Sequence, residues 1–491
     1  MWSRKNLFEA SVILLYALPT LWVGWFYFEP WRDQAHIWVI LRDTGWWDIF
    51  TTIPSNLHPF LWFLMVKPLV FLGLPYQSSI ILNILCCCFA VFLLVKKAPL
   101  PVGVKALFVF SYPLIYEFSF PGRIYALGVL LSFLIATYFR DRHKYPLLFI
   151  FLLALSFHTH TLFLAFSVPV LLLFVYESWR NKKLFTRTYL ISWALIGASG
   201  LYMLWYVSEV GRFRNLLNFG RLKNTLLDCF ELGLTGTSGQ FGILALFTLL
   251  LFVFMQIRKP FIFLASLFAL GFAGYSYEEV LPNFIRYYLI LPVILISLWW
   301  IYEEYGYPMS RANPKTLKSK QKEVSQIKGE SFWKYPTLLF QILFTFCLAV
   351  SCYQGITKWI EEIRSPHSDA GQAAKFLNDY KLLNYTLIGH RSYLASSIVP
   401  YLPKGKSIWY ADRQEFGTYL KLDSVYYLNN TGMTYPEALK AADKEFGRGE
   451  KILLALGRPL GEEYRSAWNL IYYTKQKPIQ LDEAYYFYIR K

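Results

Sequence analysis

The stretch FEPWRDQAHIW, residues 28–38, gathers four ionisable side chains between aromatics. If residues 29–41 form a helix, Glu29, Arg32, Asp33 and His36 fall at i, i+3, i+4 and i+7 on one stripe, while Trp31, Ala35 and Trp38 line another. Pro30 is acceptable in the first turn of such a helix. A carboxylate in this setting can take a proton from an attacking hydroxyl, although Arg32 beside Asp33 would lower its basicity. The same pattern also suits a helix at a membrane surface, with charges in water and tryptophans at the headgroups. Spacing alone does not choose between the two.

Further ionisable groups stand at the ends of apolar runs: His58 in NLHPF, Lys67 in LMVKPLV, Glu117 and Arg123 with Tyr125 in YEFSFPGRIYAL, His158 and His160 in SFHTHT, and Arg286 opening RYYLILP. Taken singly, the arginines read as interface anchors and the histidines as satisfied packing groups. Taken together they read as a site, because an ionisable group at membrane depth costs several kcal/mol and is retained for function. His158 and His160 are two residues apart, so on a helix they diverge by about 200° and cannot form a paired metal face. No metal ligand set is assigned. LTGTSGQFG is glycine-rich but lacks the Gly-Lys-Ser/Thr ending of a phosphate-binding loop.

The elements that must position these groups are membrane helices. The chain has 491 residues, 55% of them hydrophobic and 19% aromatic, and apolar runs recur over most of its first 355 residues. A bilayer core of about 30 Å needs about twenty apolar residues per crossing, and a soluble fold could not bury so many such runs. The expected class is an α-helical polytopic membrane protein with about eleven transmembrane helices and a small C-terminal soluble α/β domain. The spans are expected near 7–27, 79–95, 105–119, 123–139, 146–157, 161–176, 188–206, 241–257, 261–277, 286–302 and 336–353. The first run is followed by Trp25, Phe26 and Tyr27 rather than a small-residue cleavage site, so it reads as a retained helix.

The formal net charge of +17 would suggest a nucleic-acid partner in a soluble chain, but here the basic residues cluster in short loops, so none is expected. Lys96 and Lys97, Arg140 to Lys144, Arg180 to Lys183, Arg258 and Lys259, and the 303–335 loop with KTLKSKQK all fall on the cytoplasmic side with the N-terminus inside, provided 58–74 does not cross. Pro59, Lys67 and Pro68 favour an interfacial or re-entrant path for that segment. The first outer loop, 28–78, then faces outward. The expected placement is a multi-pass plasma (inner) membrane protein with residues 1–355 as the transmembrane domain and 356–491 as an extracytoplasmic α/β domain. Three of the six cysteines, Cys86, Cys87 and Cys88, are adjacent in an apolar run, and none forms a CxxC pair.

In the terminal region, helical signals in SDAGQAAKFLND, YLASSIVPYL and PEALKAADKEFG alternate with strand signals in YTLIGH, SIWYAD, KILLALG and AYYFYIR. Such alternation points to an α/β domain. No internal repeat is visible.

Four of these stretches, in this order, resemble motifs of the GT-C membrane glycosyltransferases of the protein O-mannosyltransferase and lipid A aminoarabinose transferase type. Asp33-Gln34-Ala35 resembles their Asp-Glu motif, HPFLWFL their His-Pro-Pro-Leu stretch, GRIYALGVLLSFL their Arg-x-Tyr helix and IRYYLILPVIL their late Arg-Tyr segment. The resemblance covers residues 1 to about 305; Gln34 stands where the family has Glu, and Phe60 where it has a second Pro. It implies a GT-C-like catalytic domain that moves a sugar from a polyprenyl-phosphate carrier to an acceptor hydroxyl on lipid, protein or glycan at the extracytoplasmic face, usually with inversion. Asp33 would be the catalytic base, supported by Glu29, Arg32, His36, Glu117, His158 and His160. Arg123 and Arg286, with His58 and Lys67 behind them, would bind the lipid phosphate, since guanidinium forks match phosphate oxygens. No cofactor is called for, and a divalent cation at the phosphate is left open. The alternative class is a polytopic transporter or lipid flippase, which also gathers polar residues between helices but usually shows repeat symmetry.

Overall fold

The computed structural model describes residues 4–51, 58–121, 123–214, 225–277, 284–305, 330–420, 433–447, 449–474 and 478–491. They divide into two compact units. One contains residues up to 18, 85–203 and 219–357, and the other contains 19–84, 204–218 and 358–491.

Six described helices are long and apolar enough to cross a membrane: Arg4–Phe26, Ser78–Lys97, Thr161–Arg180, Arg187–Ser208, Ile285–Glu304 and Lys334–Arg364. Leu14, Leu15 and Leu18 on the first, and Leu201 and Leu204 on the fourth, leave their side chains exposed, as a lipid-facing helix does. Shorter apolar helices run Leu61–Phe71, Ile124–Tyr138, Pro146–Phe157, Gly242–Arg258 and Pro260–Tyr275. The expected span at 105–119 is not one helix. Val102–Phe110 ends at Ser111, and Pro113, which cannot donate a helical hydrogen bond, opens a π turn over Pro113–Glu117. The 58–74 segment contains only the Leu61–Phe71 helix, about 17 Å long and so too short to cross about 30 Å of hydrocarbon.

In the first unit the centre is the Ile290–Glu304 helix. Every residue from Ile290 to Ile301 is buried, the pattern of a helix apolar on all sides. It touches the Ile124–Tyr138, Leu164–Arg180, Leu226–Thr235 and Pro260–Tyr275 helices. Trp300 meets Phe133 at 6.1 Å between ring centroids, and Trp299 meets Phe340 edge-on at 5.1 Å. Gly128 permits the close approach of Phe163, since a Cβ there would lie 2.1 Å from the ring. The basic residues cap and tie helix ends. Arg142 grips Glu177 with two bonds of 2.7 Å, and His143 reaches the same carboxylate at 3.1 Å. Lys96 pairs with Glu9 at 2.9 Å, and Lys105 donates to the Val95 carbonyl at the end of the Ser78–Lys97 helix.

The second unit joins residues 19–84 to the terminal domain. The reason is apolar: Val39 of the Arg32–Asp43 helix lies in the same buried cluster as Ala373, Leu377, Ile398, Val399, Tyr410 and Phe487. Among the described residues the terminal domain is built on six strands: β1 (Thr386–His390), β2 (Ile408–Tyr410), β3 (Glu415–Gly417), β4 (Ile452–Leu456), β5 (Trp468–Tyr473) and β6 (Tyr486–Arg490), in the order β3-β2-β1-β4-β6-β5. β2, β1 and β4 are parallel; β3, β6 and β5 add antiparallel edges. Alternation along β4 sends Leu453 and Ala455 to the face covered by the Ala370–Asp379 helix, and Ile452, Leu454 and Leu456 to the face covered by the Tyr435–Glu445 helix.

Candidate functional site

The sequence stripe divides at its first residue. The helix begins at Arg32, with Trp31 extended as its N-cap, so Glu29 lies before Pro30 and not on the helix with Asp33 and His36. Glu29 faces the terminal domain instead. Its carboxylate accepts the Gly371 N–H at 3.1 Å and the Tyr401 hydroxyl, and burial pushes its pKa up to about 7 against those hydrogen bonds. Gly371 is required for this approach, because a Cβ there would sit 2.8 Å from the Glu29 oxygen. Arg32 is held the same way. Its guanidinium donates to Asp482 at 2.7 Å and its backbone N–H to Glu483 at 3.1 Å, with the Trp31 and Tyr393 rings 5.3 and 5.2 Å away. Glu483 is fully buried, and that burial raises it to about 7 even beside Arg32.

Asp33 occupies the first turn of the Arg32–Asp43 helix, half-buried, and its charge acts on Arg32; His36 follows one turn later, also half-buried. Gln34 uses its side-chain oxygen to accept the Trp31 N–H at 3.1 Å, closing one of the open donors at the helix start. Lys67 is buried and donates to the Leu41 and Thr44 carbonyls at 2.6 and 2.5 Å, which fastens the Leu61–Phe71 helix to the end of the Arg32–Asp43 helix. A phosphate role for Lys67 would compete with that cap. His58 stands half-buried three residues before the Leu61–Phe71 helix.

The first unit brings four predicted residues together. Arg286 lies 3.5 Å from Glu117, the last residue of the π turn, and the Arg123 and Arg286 charges both act on His160. Glu117, Arg123 and His160 are all buried. Arg123 has a left-handed backbone, φ 43°, at the start of the Ile124–Tyr138 helix, a conformation that costs a non-glycine residue energy and is concentrated at functional sites. Two tyrosines wall the group: His160 is 5.0 Å from the Tyr125 ring and stacks on Tyr287 at 5.2 Å. Burial first, and the two guanidinium charges second, hold the His160 ring well below its ordinary pKa, so it is a neutral imidazole at pH 7. Its Nδ1 accepts the Leu162 N–H at 3.3 Å. His158 turns elsewhere, bonding Ser199 at 2.9 Å and meeting Tyr202 edge-on. Tyr287 is the wall residue that the sequence reading passed over, although it directly follows Arg286.

Two guanidinium groups, a carboxylate and an imidazole thus gather in a largely buried place with tyrosine rings beside them. That combination suits an anion with an apolar or ring-shaped attachment. Among the described residues, no three His, Cys, Asp or Glu side chains converge as a metal-binding set. No protein-family model matches the chain, and no curated protein matches it.

Proposed function

We propose that the chain is a membrane glycosyltransferase that moves a sugar from a polyprenyl-phosphate carrier to an acceptor hydroxyl on the extracytoplasmic side. The observation that supports this reading is the largely buried Arg123–Arg286–Glu117–His160 cluster in a chain whose described residues include six membrane-length helices, since ionisable groups kept away from water among apolar helices mark a site for an ion or an ionic substrate. Resemblance to the GT-C transferases supplies the reaction.

In that reaction the acceptor oxygen attacks the anomeric carbon from the face opposite the carrier, and the bond from that carbon to the phosphate oxygen breaks. The proton goes to a carboxylate base, a role for which the resemblance points to Asp33, and the electron pair leaves with the polyprenyl phosphate, which departs with an added negative charge. Arg123 and Arg286 stabilise that charge, each through charge-assisted hydrogen bonds that strengthen as it develops. Glu117 positions Arg286 by its ion pair, and neutral His160 keeps a third positive charge out of the cluster while offering a ring nitrogen for hydrogen bonding. The configuration at the anomeric carbon inverts. Glu29 and Arg32 act as positioning residues that hold the start of the Asp33 helix against the terminal domain.

The roles are tested one by one with purified protein in lipid nanodiscs and a radiolabelled polyprenyl-phosphate sugar. Asp33→Asn should abolish transfer while carrier binding stays near wild type. Arg286→Gln should lose transfer and weaken carrier binding together. Full transfer by Asp33→Asn would remove the base assignment. Unchanged carrier binding in Arg123→Gln and Arg286→Gln would remove the phosphate assignment. Movement of an intact lipid-linked sugar across vesicles without bond cleavage would favour a flippase.

A further inference from the structure

The terminal domain has a second place built for chemistry, at the carboxyl ends of its parallel strands. The connection leaving β1 runs through the Ser392–Ala395 turn to β2 on one side, packing Ala395, Ile398 and Val399 on one face of the sheet. The chain reaches β4, on the other side of β1, through the Tyr435–Glu445 helix, which packs Ala438, Leu439 and Ala442 on the opposite face. At the carboxyl ends the chain diverges between β1 and β4: the connection leaving β1 turns toward β2, and the one leaving β4 turns the other way, to β5 at the far edge. In open α/β sheets this divergence makes a crevice, and ligands bind there, beyond the carboxyl ends of the strands.

The residues at that edge are polar and buried where packing would favour apolar ones. His390 ends β1, Ser392 follows it, and Asp412 lies two residues after β2; their exposures are 3%, 0% and 2%. Asp412 Oδ2 accepts the Ser392 hydroxyl at 2.7 Å, but Asp412 Oδ1 and His390 Nδ1 are buried without a hydrogen-bond partner. Leaving such atoms unmet costs about 1–3 kcal/mol each, so their persistence calls for an explanation in function. Tyr435 meets the His390 ring edge-on at 5.3 Å. Arg391, after β1, and Arg458, after β4, are exposed, and both guanidinium charges act on the Tyr435 phenol. Gly457 keeps the exit of β4 narrow, since a Cβ there would lie 2.8 Å from the Asp482 carbonyl oxygen. The nearest acidic group on the helix, Glu437, is engaged in capping Thr434.

We infer that this edge binds a small anionic sugar, its phosphate or carboxylate held by Arg391 and Arg458 and its hydroxyls by Asp412 and His390, with Tyr435 against the ring. Two arginines at the rim recognise the anion, and an aspartate oxygen and an imidazole nitrogen with free lone pairs recognise hydroxyl donors. The site lies wholly within the terminal domain and does not depend on the glycosyl-transfer reading of the membrane cluster.

The test is ligand-observed saturation-transfer NMR on full-length protein in nanodiscs. Glucose 6-phosphate and glucuronate are the probes, and glucose and inorganic phosphate are the two split controls. Saturable binding of either charged sugar is expected, weaker for both controls. The exposed-site double variant Arg391→Gln/Arg458→Gln should weaken it about tenfold or more, as the loss of a charge-assisted pair does. Asp412→Asn should reduce charged-sugar binding while leaving inorganic phosphate unchanged. Arg123→Gln, in the membrane cluster, should leave all of these unaltered. Absence of saturable binding by both charged sugars, or equal binding by wild type and the double variant, would overturn the inference. So would loss of binding in Arg123→Gln alone.

Discussion

Replacing Glu29 with Gln should make the contact between the segment before the Arg32–Asp43 helix and the terminal domain less sensitive to pH. In the folded protein the Glu29 carboxyl is raised from 4.5 to about 7, chiefly by burial, with the negative Glu483 and Asp369 acting in the same direction. The folded state therefore holds a proton that the opened state releases. The stabilisation is complete below the ordinary carboxylate range and is lost as pH rises through about 7. The difference corresponds to on the order of 3 kcal/mol, or about a hundredfold in local opening. Glutamine keeps a side-chain oxygen for the Gly371 N–H and the Tyr401 hydroxyl but has no proton to lose. The assay is hydrogen exchange read by mass spectrometry on peptides covering 29–38 and 370–380, at about pH 5 and about pH 8, corrected for intrinsic exchange. Wild type should lose protection at the higher pH. Glu29→Gln should lose much less, with the remaining slope coming from Glu483, which burial also raises to about 7. Equal slopes in the two proteins would refute the reasoning.

Other substitutions test the packing and the site. Gly128→Ala should destabilise the first unit by about 1–3 kcal/mol because the new Cβ meets the Phe163 ring at 2.1 Å, and Phe163→Leu in the same chain should recover part of it, read by thermal unfolding. Arg142→Ala leaves the largely buried Glu177 without its bidentate partner and should cost about 2–4 kcal/mol; Arg142→Lys, which cannot form the fork, should fall between. Lys67→Met keeps the apolar stem but drops two bonds to carbonyls, so it should loosen residues 41–44 by about 1–3 kcal/mol in hydrogen exchange while leaving carrier binding intact. Carrier binding lost in Lys67→Met, with exchange unchanged, would return Lys67 to the phosphate site.

The parts legible in the sequence are those set by local pattern. The expected helices and strands of the terminal domain match Ala370–Asp379, β1, β2, Tyr435–Glu445, β4 and β6 to within about two residues, because each is marked by a clear period or a capping signal. YLASSIVPYL, expected as a helix, forms one α turn and then a 3-10 stretch containing Pro400. β3 and β5 went unread: β3 has three residues, and β5 exposes Asn469 and Leu470 on an edge with no clean alternation. Non-local partners were out of reach. Nothing near Glu29 announces Gly371 and Tyr401, more than 340 residues away, so its place before the helix and its engagement by the terminal domain had to come from the fold. By contrast, the gathering of Glu117, Arg123, His160 and Arg286 was foreseeable from the cost of each charge among apolar residues, while His158, grouped with them from the sequence, bonds Ser199 instead, because it ends the Pro146–Phe157 helix and His160 starts the next turn.

The central claim is glycosyl transfer from a lipid carrier, and one measurement addresses it directly. Purified protein in nanodiscs is incubated with a panel of radiolabelled polyprenyl-phosphate sugars and extracted membranes, and label is followed into water-soluble or lipid acceptors alongside Asp33→Asn. Acceptor labelling from at least one polyprenyl-phosphate sugar, with inverted anomeric configuration and lost in Asp33→Asn, is the predicted result. Labelling from a nucleotide sugar with no lipid carrier present, or undiminished labelling by Asp33→Asn, would contradict it.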